Sequence, residues 1–246
     1  MRQPRCNKNV AYHSEGEKMI KCKIRAVIFD LDGTLVDSEP NYYEADKKML
    51  SQYGITDFDL AAKKKYVGIG AKEMMEDIKR QYHIPDSVET LVTLKNKYYL
   101  ELARANTPVF TEMKMLLELL EKEQYPLALA SGSSPQVIDI VLGGAELRKY
   151  FKVVISAEEV DRGKPAPDIF LEAARQLSIA SEHCLVVEDS RYGVEAAKNA
   201  GMSCIAIPYP DEKTLHSSYL NADLLLKNGM EEFSAEKTFN WIKTFS

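Results

Sequence analysis

The sequence predicts an α/β fold, a parallel β-sheet covered by helices on both faces and interrupted once by an all-helical insertion. Three observations carry this. Short, nearly continuous apolar runs recur along the chain, at Ile24–Phe29, Leu127–Ala130, Val153–Ile155, Leu185–Val187 and Cys204–Ile207, with Leu224–Leu226 as a possible sixth. Helical periodicity fills the intervals between them. One long interval, 38–106, holds several helical patterns and no convincing strand. Strands buried on both faces read as continuous apolar runs, and their alternation with helices is the signature of parallel βαβ units.

Each element has a local reason. "IRAVIF" (24–29) is the first buried strand, and it ends in "DLDGT". The insertion follows, with helical segments "PNYYEADKKMLSQYG", "AKEMMEDIKRQYH" and "SVETLVTLKNKYYLELARA". Its two connections, near Asp37 and near Thr107–Pro108, are expected to form a hinge. The expected division is therefore a core of 19–37 and 107–246 and a helical cap of 38–106. In "EMKMLLELLEKE" (112–123) leucines recur three and four apart. "PDIFLEAARQL" (167–177) opens on Pro-Asp, and "RYGVEAAKNAG" (191–201) stops at Gly201. Residues 1–18 are polar and lack an apolar signal-peptide region, and they read as an extension without a role in the fold.

Composition narrows the function classes. At 246 residues the chain is long for one domain, on a prior of roughly 150 residues each. A net charge of −5 offers no broad basic surface for nucleic acid, and no apolar run reaches the ~20 residues that span a bilayer. Cys6, Cys22, Cys184 and Cys204 show no C-x-x-C spacing and read as reduced thiols, which suits a cytoplasmic protein. His13, His83, His183 and His216 show no ligand spacing. The expectation is a monomer acting on a small molecule.

Ligands of an open parallel sheet bind beyond the carboxyl ends of its strands. Polar residues stand at four such ends: Asp30 and Asp32, Ser131 with Gly132, Lys164 in "GKPAPD", and Glu188 with Asp189 in "VVEDS". On an extended segment Asp30 and Asp32 share one side while Leu31 points away, and Gly33 permits a tight turn. Taken singly, each has an ordinary reading. Asp-Gly is common turn chemistry, lysines are mostly solvated, and acids favour helix starts. Together they would gather up to four carboxylates, which raise one another's pKa unless a cation neutralises them. Mg2+ suits such oxygen ligands and commonly bridges to phosphate. Lys164 adds positive charge, and the Ser131 hydroxyl with nearby N–H groups offers donors for phosphate oxygens. Phosphoryl transfer needs this combination of positioning and charge neutralisation.

"FDLDGT", "ASGSS", "GKPAPDIF" and "VVEDS" resemble, in order and approximate spacing, the four motifs of the haloacid dehalogenase (HAD) superfamily, over about residues 20–210. With a helical insert after the first motif, the chain is similar to the branch that includes beta-phosphoglucomutase and small-metabolite phosphatases. The resemblance implies a Rossmann-like core with a mobile helical cap and Mg2+ as cofactor. It implies Asp30 as the nucleophile that forms an aspartyl-phosphate and Asp32 as general acid/base. Ser131 and Gly132 would bind phosphate and Lys164 would balance charge. Asp189 would ligate Mg2+ with Asp30 and the Asp32 carbonyl, and Glu188 would act through water.

Three activities compete: phosphatase, phosphosugar mutase, and a phospho-accepting receiver module. A receiver places its acidic pair before the phospho-acceptor, whereas Glu188–Asp189 comes last. Beta-phosphoglucomutases carry a histidine that aligns with Tyr42 and a cap arginine near a stretch that here reads "VGIGAKEM", with Ala71 near its position. "DSEPNYY" (37–43) looks like the caps of sugar- and polyol-phosphate phosphatases. Hydrolysis of a small phosphorylated metabolite is the expectation, with Glu39, Tyr42, Tyr43 and Lys47 facing the substrate. Tyr98 and Tyr99 are expected to pack between cap helices.

Overall fold

In the sheet, successive residues of one strand serve opposite layers of the core. In β1 (Ala26–Phe29), Ala26 and Ile28 face one layer and Val27 and Phe29 the other, all fully buried. The computed structural model describes residues 22–66, 71–209 and 215–245. The extension 1–18 and residues 67–70 of the "VGIG" stretch lie outside the described residues. β2 (Leu127–Ser131), β3 (Val153–Ser156), β4 (Cys184–Glu188), β5 (Ser203–Ala206) and the short β6 (Leu224–Leu225) complete a parallel sheet in the order β3-β2-β1-β4-β5-β6. β1 lies at its centre, paired with β2 and β4, so the carboxyl ends of these three strands adjoin.

The interval between β1 and β2 holds α1 (Glu39–Ser51), α2 (Leu60–Lys64), α3 (Ala71–Tyr82), α4 (Val88–Ala105) and α5 (Thr111–Lys122). The fold class is therefore the expected one, a parallel α/β sheet with a helical insertion. Met49 and Leu50 of α1, Met74, Met75 and Ile78 of α3, and Leu91 of α4 form an apolar cluster apart from the two sheet layers. The chain's way out and way back run side by side. Val36 pairs with Val109 in an antiparallel bridge, Asp37 N–H donates to the Pro108 carbonyl, and Asn41 donates to the Asn106 carbonyl at 2.8 Å.

Later come α6 (Pro135–Gly144), α7 (Asp168–Leu177), α8 (Arg191–Asn199) and α9 (Ala235–Lys243). The Ser134 and Ser190 side chains cap α6 and α8, accepting from Val137 and Gly193 N–H. Gly193 does more than begin a helix. A Cβ placed there would lie 1.8 Å from Glu188 Oε1, so only glycine lets α8 close against the end of β4.

Asp46 of α1 is fully buried and lies between two lysines, 2.7 Å from Lys63 Nζ of α2 and 2.9 Å from Lys95 Nζ of α4. This ionic bridge ties three helices of the insertion together. Removing its centre would strand two ammonium groups in an apolar setting. Asp46→Asn should destabilise the protein by about 3–5 kcal/mol, the cost typical of breaking a buried pair, while Arg80→Gln at the exposed Asp77 pair should leave the denaturation midpoint in place. Gly193→Ala should cost about 1–3 kcal/mol as an overpacking change, read by the same denaturant titration.

Candidate active site

The four polar strand ends meet at the carboxyl edge around β1. Lys164, on the loop before α7, is the hub. Its Nζ donates to Asp30 Oδ1 at 2.5 Å, to Glu188 Oε1 at 2.6 Å and to the Ala130 carbonyl at 3.2 Å. It therefore joins the ends of β1, β2 and β4. Burial alone would lower its pKa, but Asp30 and Glu188 outweigh that and raise it, so the ammonium stays charged.

Glu188 is held at both oxygens. While Oε1 takes Lys164, Oε2 accepts from Ser190 N–H at 2.7 Å and Ser190 Oγ at 2.9 Å. Asp189 lies opposite Gly33. Gly33 has φ +80°, and a Cβ there would come within 2.3 Å of Asp189 Oδ2, so the turn needs glycine for both conformation and space. Thr34 Oγ1 donates to Asp189 Oδ1 at 3.2 Å, and Tyr219 OH donates to the Asp189 carbonyl at 2.9 Å.

Asp30, Glu188 and Asp189 thus crowd three carboxyl groups around one ammonium. Burial pushes Asp30 up to about 7 against the pull of Lys164. Burial, with Glu188 and Asp30 beside it, holds Asp189 well above the usual carboxylate range. The site has room for more positive charge, and its donor set of hard oxygens suits a divalent cation. Among the described residues no three His, Cys, Asp or Glu side chains form a cage for a metal by themselves.

Asp32 has different company. Its Oδ2 accepts from Ser133 Oγ at 2.7 Å and its Oδ1 from Tyr99 OH at 3.3 Å. The two aspartates of "FDLDGT" therefore part, Asp30 into an ionic cluster and Asp32 between two neutral hydroxyls. Ser131, buried at the end of β2, accepts from Ser133 N–H at 3.0 Å, which leaves its own O–H as a donor. Gly132 next to it is exposed.

The insertion reaches this edge through aromatic rings. Tyr42 stacks on Tyr99 with centroids 4.1 Å apart. Burial, and Asp32 close by, raise the pKa of both phenols, so both remain protonated. Tyr99 does pack between helices, and it also touches Asp32. Glu39, Tyr43 and Lys63 line a cavity of about 300 Å³. Lys47 pairs with Glu44, which also lines that cavity, at 3.2 Å and lies over the Tyr43 ring.

Thr34, Ser133, Ser190, Asp46, Lys63, Lys95 and the phenol of Tyr99 were not singled out from sequence. Two had a signal: Asp46 falls on the buried stripe of α1 beside Ala45 and Met49, and Lys95 stands midway between buried Leu91 and Tyr99 on α4.

Comparison with known proteins places this geometry in a family. The profile of the haloacid dehalogenase-like hydrolases matches residues 27–207. A phosphorylated carbohydrates phosphatase of Thermotoga maritima is 33% identical over 186 residues, covering 74% of this chain and 84% of the relative. A phosphoglycolate phosphatase of Escherichia coli is 31% identical over 209 residues, covering 76% and 82%. Among solved structures, a Thermotoga maritima protein assigned as a beta-phosphoglucomutase superposes with a TM-score of 0.74 at 26% identity, covering 91% of this chain and all of that one. The chain belongs to the haloacid dehalogenase-like hydrolases, and within them it is an enzyme of the phosphatase type, a phosphoric monoester hydrolase.

Proposed function

We propose that this enzyme is a Mg2+-dependent phosphatase that hydrolyses a phosphorylated sugar or polyol through an aspartyl-phosphate on Asp30. One observation carries the reading: Lys164 joins Asp30 to Glu188, while Asp32 stands apart between Ser133 and Tyr99. Two carboxylates two residues apart thereby acquire two roles. Asp30 attacks phosphorus. Asp32 gives the leaving oxygen its proton, then takes one from the water that hydrolyses the aspartyl-phosphate.

Asp30, Asp189 and the Asp32 carbonyl would hold the Mg2+, with Glu188 acting through water. Both oxygens of Glu188 are already engaged, by Lys164 and Ser190, which supports the indirect role. Bound there, Mg2+ supplies positive charge to the phosphoryl oxygens and to the attacking carboxylate. The Ser131 hydroxyl, the backbone at Gly132 and Lys164 orient the phosphoryl group. Residues 38–106 serve as a cap on a core of 19–37 and 107–246, hinged where Asp37 meets Pro108. The cap would close over the leaving group and exclude bulk water.

The mutase reading is favoured by the likeness to the protein assigned as a beta-phosphoglucomutase. Against it stands Tyr42, a neutral phenol where mutases carry histidine. Phosphate release should be measured across sugar and polyol phosphates with Mg2+ or EDTA. Activity should be lost in EDTA and return with Mg2+. Asp30→Asn should lower kcat by roughly 10³-fold or more, as loss of a nucleophile does; a variant that keeps its activity would remove Asp30 from that role. Beta-glucose 1-phosphate should yield free phosphate. Glucose 6-phosphate formed without it would establish the mutase instead.

A further inference from the structure

The torsion that turns an aspartate carboxyl group about its Cβ–Cγ bond is broad and soft. One hydrogen bond leaves such a group free to pivot, whereas donors on both oxygens define its plane. Asp32 has both: Ser133 Oγ donates to Oδ2 at 2.7 Å and Tyr99 OH to Oδ1 at 3.3 Å.

The two donors come from different parts of the fold, and each is itself held. Ser133 lies on the loop after β2, where its N–H donates to Ser131 Oγ at 3.0 Å and its carbonyl accepts from Ser156 Oγ at 2.7 Å. Tyr99 comes from α4 and is only 1% exposed. That helix is divided in its packing. Leu91 lies in the insertion's own apolar cluster, but Tyr99 and Ala103 lie with Phe29 and Leu31 in a layer of the sheet. One turn before Tyr99, Lys95 has its ammonium 2.9 Å from the buried Asp46 of α1, which fixes the rotation of α4 against α1. Tyr42 of α1 stacks on the Tyr99 ring, with centroids 4.1 Å and planes 13° apart. Packing accounts for the ring and leaves the hydroxyl unexplained. Phenylalanine would fill the same space without burying an O–H that needs a partner.

We propose that Tyr99 is a positioning residue for the acid/base: its hydroxyl, together with that of Ser133, holds the Asp32 carboxyl in the plane from which it protonates the leaving oxygen. The proposal rests on the phosphatase reading and extends it to a residue of the insertion, which acts through Asp32 and not on the phosphoryl group.

The test uses leaving groups that differ in their need for a proton. An alkoxide leaves poorly without one, and 4-nitrophenolate leaves readily. Tyr99→Phe keeps the ring and removes the hydroxyl. kcat/KM, which covers the steps through phosphoryl transfer to Asp30, would be measured for 4-nitrophenyl phosphate and for the sugar or polyol phosphate that wild type cleaves fastest. Tyr99→Phe should lower it about tenfold for the alkyl ester and less than about twofold for the aryl ester, because only the first draws on general acid catalysis. In an Asp32→Asn background the same substitution should cause no further loss on the alkyl ester. An equal loss on both esters, no loss on either, or a loss that persists in the Asp32→Asn background would overturn the proposal. Failure of wild type to release phosphate from any sugar or polyol phosphate would remove the phosphatase reading itself, and the proposal with it.

Discussion

The Lys164 ammonium is the point on which the site depends. Burying three carboxyl groups at the end of a sheet is unfavourable unless positive charge is buried with them. Lys164 meets Asp30 and Glu188 at 2.5 and 2.6 Å and reaches the Ala130 carbonyl, so one side chain cross-links the ends of three adjacent strands. The surrounding devices keep that geometry. Ser190 holds the far oxygen of Glu188, Gly193 keeps the space beside it clear, and Gly33 does the same for Asp189. Burial still raises the pKa of Asp30 against the pull of Lys164.

The insertion adds a second, separate charge system. Its Lys63–Asp46–Lys95 bridge fixes helices α1, α2 and α4, and the Tyr42–Tyr99 stack carries that order to Asp32. One carboxylate thus answers to the core and the other partly to the insertion. In the proposed mechanism this split lets a nucleophile and a proton carrier operate two residues apart.

Much of this was legible in the sequence, for identifiable reasons. Strands buried on both faces cannot hide their apolar runs, so five were marked outright, and the two-residue, half-buried β6 at the sheet edge only as a possible sixth. The four motifs were legible because each comes after a strand and sets polar residues, charged in three of the four, at the edge of an apolar core. The partners that complete the site were not. Ser133 and Thr34 are common residues whose value lies in one hydrogen bond across the fold, to Asp32 and to Asp189. Asp46, Lys63 and Lys95 lie on three different helices, and their meeting depends on how those helices pack. Tyr99 was rightly given a packing role, but its hydroxyl could be placed only once α4 was set against β1.

The central claim is that Asp30 takes the phosphoryl group onto its own carboxylate. The most direct measurement is chemical trapping of that species. The enzyme, turning over a phosphate ester, would be quenched and reduced with borohydride, which converts an acyl phosphate to an alcohol, and then digested and sequenced by mass spectrometry. The account predicts homoserine at position 30, dependent on substrate and on Mg2+, with Asp32 and Asp189 unchanged. Reduction at another carboxylate, or an unmodified Asp30 under turnover, would contradict it.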